Sequence, residues 1–382
     1  MAQRNMLTGN RTAAAQAAGI GGRRLPGLID NEKLRREDFL PLCGARRYFD
    51  NAATSQEPFS VKRKMLWRSL EQPRGSNHSK NSMEARKADG EYHEAKEKLR
   101  VFFNAQDYEL AFTAGTTGAS NFIATRFAFG PGDLLLITGM EHNSQVVSAR
   151  NFAARAGANV KYVPATREGE LDLEFLEKAV KANKGGKILL NLVHASNLTG
   201  VLSPVGKIRE ICKDNAYIYL DMAQSAGHTP IDLDAMSVDF AGASAHKMYG
   251  PMGIGAVFIN RSRDAGKALT NMVSGGGAVQ LVSSRHTVYE EGEGRFEPGT
   301  PNLDGIVEWG FVADYLRQPA LGMDRIEAHD KALGGYFLRR CKKSRVCGYT
   351  GRRRLKNARG LSPSMWGPSY ARTTRKSSPQ AR

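Results

Sequence analysis

The chain has 382 residues, of which 41% are hydrophobic and 24% charged, and carries a formal net charge of +17. That length accommodates one large domain and a smaller one, and no apolar run approaches the length of a membrane-spanning helix. The charge points to a polyanion binder only until its distribution is read. Residues 331–382 hold 15 Lys or Arg and no acid, which leaves 40 basic against 38 acidic residues in 1–330. The body is therefore near neutral, and nucleic acid is expected to bind only nonspecifically, through the tail. Four cysteines (Cys43, Cys212, Cys341, Cys347) without regular spacing fit a reducing compartment and no disulfide framework.

In chain order, the first 29 residues contain four arginines, no acid and no serine. They lack the apolar centre of a secretory signal and read as a frayed extension, with an organelle transit peptide as the alternative. The expected location is cytoplasmic, or an organelle matrix if that alternative holds. Glu84–Asn104 carries dense helix formers with charges interleaved among Ala, Leu, Val and Phe, the pattern of an amphipathic helix. Strands are predicted at Leu110–Thr113, Leu134–Thr138, Val160–Val163, Ile188–Val193, Ile218–Asp221, Val238–Ala243 and Ala256–Ile259. Helical periodicity fills the gaps, as at Val146–Ala156, Leu173–Ala182 and Val205–Asn215. This alternation predicts a mostly parallel α/β sheet covered by helices on both faces. Residues 271–302 read as irregular, and 305–340 as helical. From about Arg339 Arg, Lys, Ser, Pro and Gly dominate without periodicity, the composition of a disordered segment.

Ligands of open α/β sheets bind beyond the carboxyl ends of the strands, so the residues that follow each strand carry the chemistry. Ser244-Ala245-His246-Lys247 leaves one strand end and runs into the glycine-punctuated stretch from Tyr249 to Gly255. A lysine there suits an amine that must meet a bound carbonyl, and a short serine and histidine beside it suit a phosphate. Ala114-Gly115-Thr116-Thr117-Gly118 opens a helix with hydroxyls and free N–H groups aimed at an anion, although a Thr-capped helix alone would look the same. His142 follows the second strand, placed to lie against a flat ring. Asn197 follows the fourth and is equally an ordinary turn residue. Asp221 ends the fifth, with Gln224 three residues on. A carboxylate ending an apolar strand needs a cation, and a protonated pyridine nitrogen is one.

These segments, together with Tyr48–Thr54 and Arg295-Phe296-Glu297-Pro298-Gly299-Thr300-Pro301-Asn302, resemble the class V (fold type I) pyridoxal-phosphate enzymes, most closely the Suf-type cysteine desulfurases. The similarity runs from about residue 46 to 335. It implies an N-terminal extension (1–45), a cofactor-binding large domain (46–335) and a basic tail (336–382) where a small C-terminal domain is cut short. By the resemblance, pyridoxal 5′-phosphate is the cofactor and Lys247 its Schiff-base lysine and proton shuttle. Asp221 pairs with the pyridine nitrogen, Gln224 reaches the phenolic oxygen with Asn197 on that side, and His142 stacks on the ring. Thr116, Thr117, Ser244 and His246 hold the phosphate, with Thr300 reaching in from the other subunit of a homodimer. The implied reaction converts L-cysteine to L-alanine and passes sulfur to an acceptor protein, as in iron–sulfur cluster assembly.

The match breaks in three places. The family's sulfur-accepting cysteine and carboxylate-binding arginine, both C-terminal, have no counterpart here, and Gly118 stands where an acid is usual. The switch near Arg339 looks like a change of reading frame, or else a genuine basic tail. The alternatives to a desulfurase are therefore another class V chemistry (aminotransferase, kynureninase-like or epimerase) and a non-catalytic remnant of the fold with a polyanion-binding tail.

Overall fold

The computed structural model describes residues 48–79, 81–271 and 274–343, with Ile29, Leu34 and residues 36–42, and side chains as far as Arg340. Most of the 1–45 extension and all of the chain beyond Lys343 lie outside the described residues. The elements are α1 (Phe59–Glu71), α2 (Met83–Phe102), β1 (Tyr108–Thr113), α3 (Thr116–Arg126), β2 (Leu134–Thr138), α4 (Asn143–Arg155), β3 (Asn159–Val163), α5 (Leu173–Ala182), β4 (Ile188–Val193), α6 (Val205–Cys212), β5 (Tyr217–Asp221), β6 (Phe240–Ser244), β7 (Gly255–Asn260), β8 (Val279–Val282), β9 (Thr287–Tyr289), α7 (Leu303–Leu316) and α8 (Met323–Lys343).

Strands β1 to β7 form one sheet in the order β1-β7-β6-β5-β4-β2-β3. Every pairing is parallel except those of β7 with β1 and β6. The sheet is buried on both faces, which is why its strands read as near-continuous apolar runs. Alternate residues of each strand go to opposite sides. Leu134, Leu136, Leu190, Ile218 and Leu220 face one core cluster, whereas Leu135, Ile137, Leu189, Tyr219 and Phe240 face the other. All seven predicted strands are present, displaced at their ends by at most two residues.

The irregular segment needs correction. Residues 279–289 form a two-stranded antiparallel hairpin, β8–β9, and a 3-10 turn follows at Gly292–Phe296. The hairpin's side chains are mostly exposed, so it lacks the apolar alternation that betrays a strand. Helix α8 also runs four residues past Arg339, the point where sequence periodicity seemed to stop. Part of the N-terminal extension packs on the body: Asp38 accepts from Ser60 N at 3.0 Å and from the Tyr315 hydroxyl at 3.1 Å.

The parallel strands deliver their carboxyl ends to a single edge of the sheet. Thr113, Thr138, Val193, Asp221 and Ser244 end there, and Gly255 begins β7 beside them. Gly255 is required: a Cβ on it would meet Gly115 Cα and the Ala243 carbonyl oxygen at 2.5 Å each. The β1–α3 turn can therefore lie directly against β6 and β7.

Candidate active site

One cleft at that carboxyl edge is lined by Gly115, Thr116, Thr117, His142, Asn197, Asp221, Gln224, Ser244, His246 and Lys247, with Ala114, Ser144, Val193 and Ala223. The structure thus brings together nine of the ten residues singled out from the sequence. Thr300 is the exception: it is exposed and lines no part of its own chain's cleft.

At one end, Gly115 caps α3 with a φ of +126°, a conformation that favours glycine. Thr116 N donates to Ser244 Oγ at 2.6 Å, and the hydroxyls of Thr116 and Ser244 lie 2.8 Å apart. Two hydroxyls and the first-turn N–H groups of α3 thus converge at a helix N-terminus, the arrangement that favours an anion. His246 is anchored from behind. Its carbonyl accepts from Ser55 N at 2.8 Å, Ser55 Oγ at 2.9 Å and Thr54 Oγ1 at 3.2 Å. Burial, and then the neighbouring Lys247, push the His246 imidazole below its usual range. At Gly118 a Cβ would lie 3.2 Å from Thr113 Cβ, so the missing acid would require Thr113 to give by a few tenths of an ångström.

At the floor, Asp221 is 3% exposed and its Oδ1 accepts from Ala223 N at 2.8 Å. Desolvation raises its carboxyl above the ordinary carboxylate range, against the pull of the Ala223 N–H, Lys247 and His142. Lys247 moves the other way. Desolvation lowers its ammonium, opposed by Asp221, and among the described residues its Nζ has no hydrogen-bond partner. Gln224 spends one amide N–H on the Ala52 carbonyl at 2.9 Å and keeps another to offer. His142 caps α4, its Nδ1 accepting from Ser144 N at 3.2 Å.

Sequence reasoning missed the supports. Glu141, the residue before His142, has an Oε1 that accepts from Thr138 Oγ1 and Val193 N at 2.6 Å each, tying the ends of β2 and β4. Burial pushes that carboxyl up to about 8. Ser55, which seats the Ser244–Lys247 turn, lies 189 residues upstream of Ser244 and carries no local signal. His194 lies behind the cleft against Ser225 Oγ at 2.9 Å, and burial takes its imidazole down to about 4.

A model of the family described as Aminotransferase class-V matches residues 47–362. The chain belongs to that family. The match extends beyond residue 335, the limit expected from the sequence motifs. A probable cysteine desulfurase of Halobacterium salinarum is 34% identical over 295 residues, covering 76% of this chain and 69% of the relative. One from Halalkalibacterium halodurans is 32% identical, covering 77% and 71%. Among solved structures, the apo cysteine desulfurase of Thermococcus onnurineus superposes with a TM-score of 0.77 at 27% identity, over 89% of this chain and 81% of that one.

The family is pyridoxal-phosphate dependent, and the sheet is that of its fold type I members. The donor set of the cleft suits this cofactor: an anion cradle at the α3 N-terminus, a buried carboxylate for a pyridinium, and an unpartnered amine for a carbonyl. Among the described residues no helix is long and apolar enough to cross a membrane.

Proposed function

We propose that this chain is a cysteine desulfurase-like enzyme in which Lys247 holds pyridoxal 5′-phosphate and the amino acid acted on is L-cysteine. The observation that carries the reading is Lys247 Nζ, without a hydrogen-bond partner among the described residues, sharing one cleft with buried Asp221 and the Thr116–Ser244 hydroxyl pair. When bound, the cofactor supplies an electron sink for the charge left as the substrate's α-proton departs. In this reading Asp221 keeps the pyridine nitrogen protonated, and Gln224 and Asn197 serve the phenolic side. Thr116, Thr117, Ser244 and His246 hold the phosphate, completed by Thr300 from the other copy of a homodimer. Lys247 moves the α-proton. In the complete reaction the Cβ–S bond of L-cysteine breaks, a thiolate from outside the described lining residues takes the sulfur as a persulfide, and Cβ gains a proton to give L-alanine.

One observation favours a second reading. The cysteine side chain among the described residues, Cys212, is buried and lines no part of the cleft. The residues that do line it suffice for α-proton removal, the step shared with aminotransferase, epimerase and kynureninase-like chemistry. Borohydride treatment of the protein with pyridoxal 5′-phosphate, followed by peptide mapping, is expected to place the label on Lys247. A label elsewhere on folded protein overturns the assignment. Turnover of a panel of amino acids then separates the two readings.

A further inference from the structure

His142 and Ser144 both line the cleft, and the contact between them is directional. His142 is the N-cap of α4, and its Nδ1 accepts a hydrogen bond from the backbone N–H of Ser144 at 3.2 Å. A backbone N–H can only donate, so Nδ1 must present a lone pair. In a neutral imidazole the single ring proton is then on Nε2. Ser144 Oγ lies 2.8 Å from the same Nδ1 and can turn its own proton toward it. The opposite tautomer would set Nδ1–H against the Ser144 N–H and cost that first-turn donor its side-chain cap.

We propose that Ser144 is a positioning residue that fixes His142 as the Nε2–H tautomer, so that His142 serves this site as a hydrogen-bond donor and leaves proton abstraction to Lys247. The proposal rests on the reading of the cleft given above. A neutral ring protonated at Nε2 has its only lone pair on Nδ1, and that lone pair is occupied by the α4 cap. It can support charge that develops over it, but it cannot accept a proton from a substrate at Nε2. The amine of Lys247 has no hydrogen-bond partner among the described residues, and burial favours its neutral form. The two groups thus divide the work by geometry: one donor held by a helix cap and one unpartnered base.

The test reads the tautomer directly. The full chain, labelled with 15N-histidine and held at mildly alkaline pH where an ordinary imidazole is neutral, gives two-bond proton–nitrogen correlations that distinguish the ring nitrogens. His142→Gln identifies the resonance. The expected result is the Nε2–H form alone, with an Nδ1–H population appearing in Ser144→Pro, which removes both donors. Ser144→Ala, which keeps the backbone donor, should retain the Nε2–H form. An Nδ1–H signal from His142 in the unmutated chain overturns the proposal. So does no tautomer change in folded Ser144→Pro. The tautomer is read without cofactor, so its outcome is separate from that of labelling Lys247.

Discussion

Burial works against both charges at the floor of the cleft, and this gives Asp221 opposite effects on stability and on chemistry. Desolvation raises the Asp221 carboxyl in the folded, cofactor-free protein, and the nearby N–H and cations offset this only in part. A group whose folded value lies above its unfolded one contributes stability below the unfolded value, about 3.9. That contribution is lost as pH rises through the folded value. Asp221→Asn is therefore expected to raise the melting temperature of the cofactor-free protein at pH 7, with the difference shrinking as pH falls through the raised folded value and gone below about 4. The same variant should slow cofactor-dependent α-proton exchange by about two orders of magnitude or more, since an amide cannot hold a pyridinium. A variant that is less stable at pH 7, or that exchanges as fast as the parent, would remove Asp221 from this role. The residue types at the strand ends were legible in the sequence because each one breaks an apolar run. Glu141 and Ser55 were not, because what they hold is a carbonyl or N–H brought near by the fold.

At the scale of elements, β1 lies at the edge of the sheet and its outward N–H groups need partners. Two carboxylates from the turn after β9 supply them. Glu293 Oε2 accepts from Leu110 N at 2.7 Å, and Glu297 Oε1 accepts from Phe112 N at 2.8 Å. Lys96 of α2, 1% exposed, bridges the other oxygens at 2.7 and 2.6 Å, and Arg100 and Tyr92 close the cluster. The turn that leads to Thr300 is thus fastened to the strand that leads to Thr116. Lys96→Met should destabilise the fold by about 3 kcal/mol in denaturant titrations, because it leaves the half-buried Glu297 without a cation and Glu293 with Arg100 alone. A loss below about 1 kcal/mol would mean the cluster does not hold this edge. Burial pushes the Glu293 carboxyl up, but Lys96 and Arg100 outweigh it and hold the group below its usual range. Its contribution is then present above the unfolded value of about 4.3 and disappears as pH falls through the lower folded one. The stability curves of the parent and Glu293→Gln are expected to converge in acid and to separate above pH 5. Nothing local announced this device. Glu293 and Glu297 sit in a stretch rich in glycine and acid that reads as loop, and their partners are some 200 residues away in sequence.

For the molecule as a whole, the order of strands was not legible, although the strands were. Periodicity finds buried runs, but the excursion of β7, antiparallel between β1 and β6, is set by packing across the sheet. What was legible is that the chemistry collects at one edge, since parallel strands joined by helices must all end on the same side. That edge has an amine, a buried carboxylate, an imidazole and an anion cradle, and no thiol among its lining residues. Cys212 is fully buried on α6, and burial pushes its thiol up to about 11, so it offers almost no thiolate at neutral pH. Sulfur abstraction needs a thiolate within attacking distance of the substrate, where a misplacement of an ångström costs about 100-fold. The chain, loaded with pyridoxal 5′-phosphate, should therefore exchange the α-proton of L-cysteine with solvent deuterium while releasing little sulfide, and Cys212→Ser should change neither rate. Cys341→Ser and Cys347→Ser are expected to be equally silent. Sulfide release that is rapid in the parent and lost in either of these two variants would show that the chain from Cys341 onward brings a thiolate to the cleft.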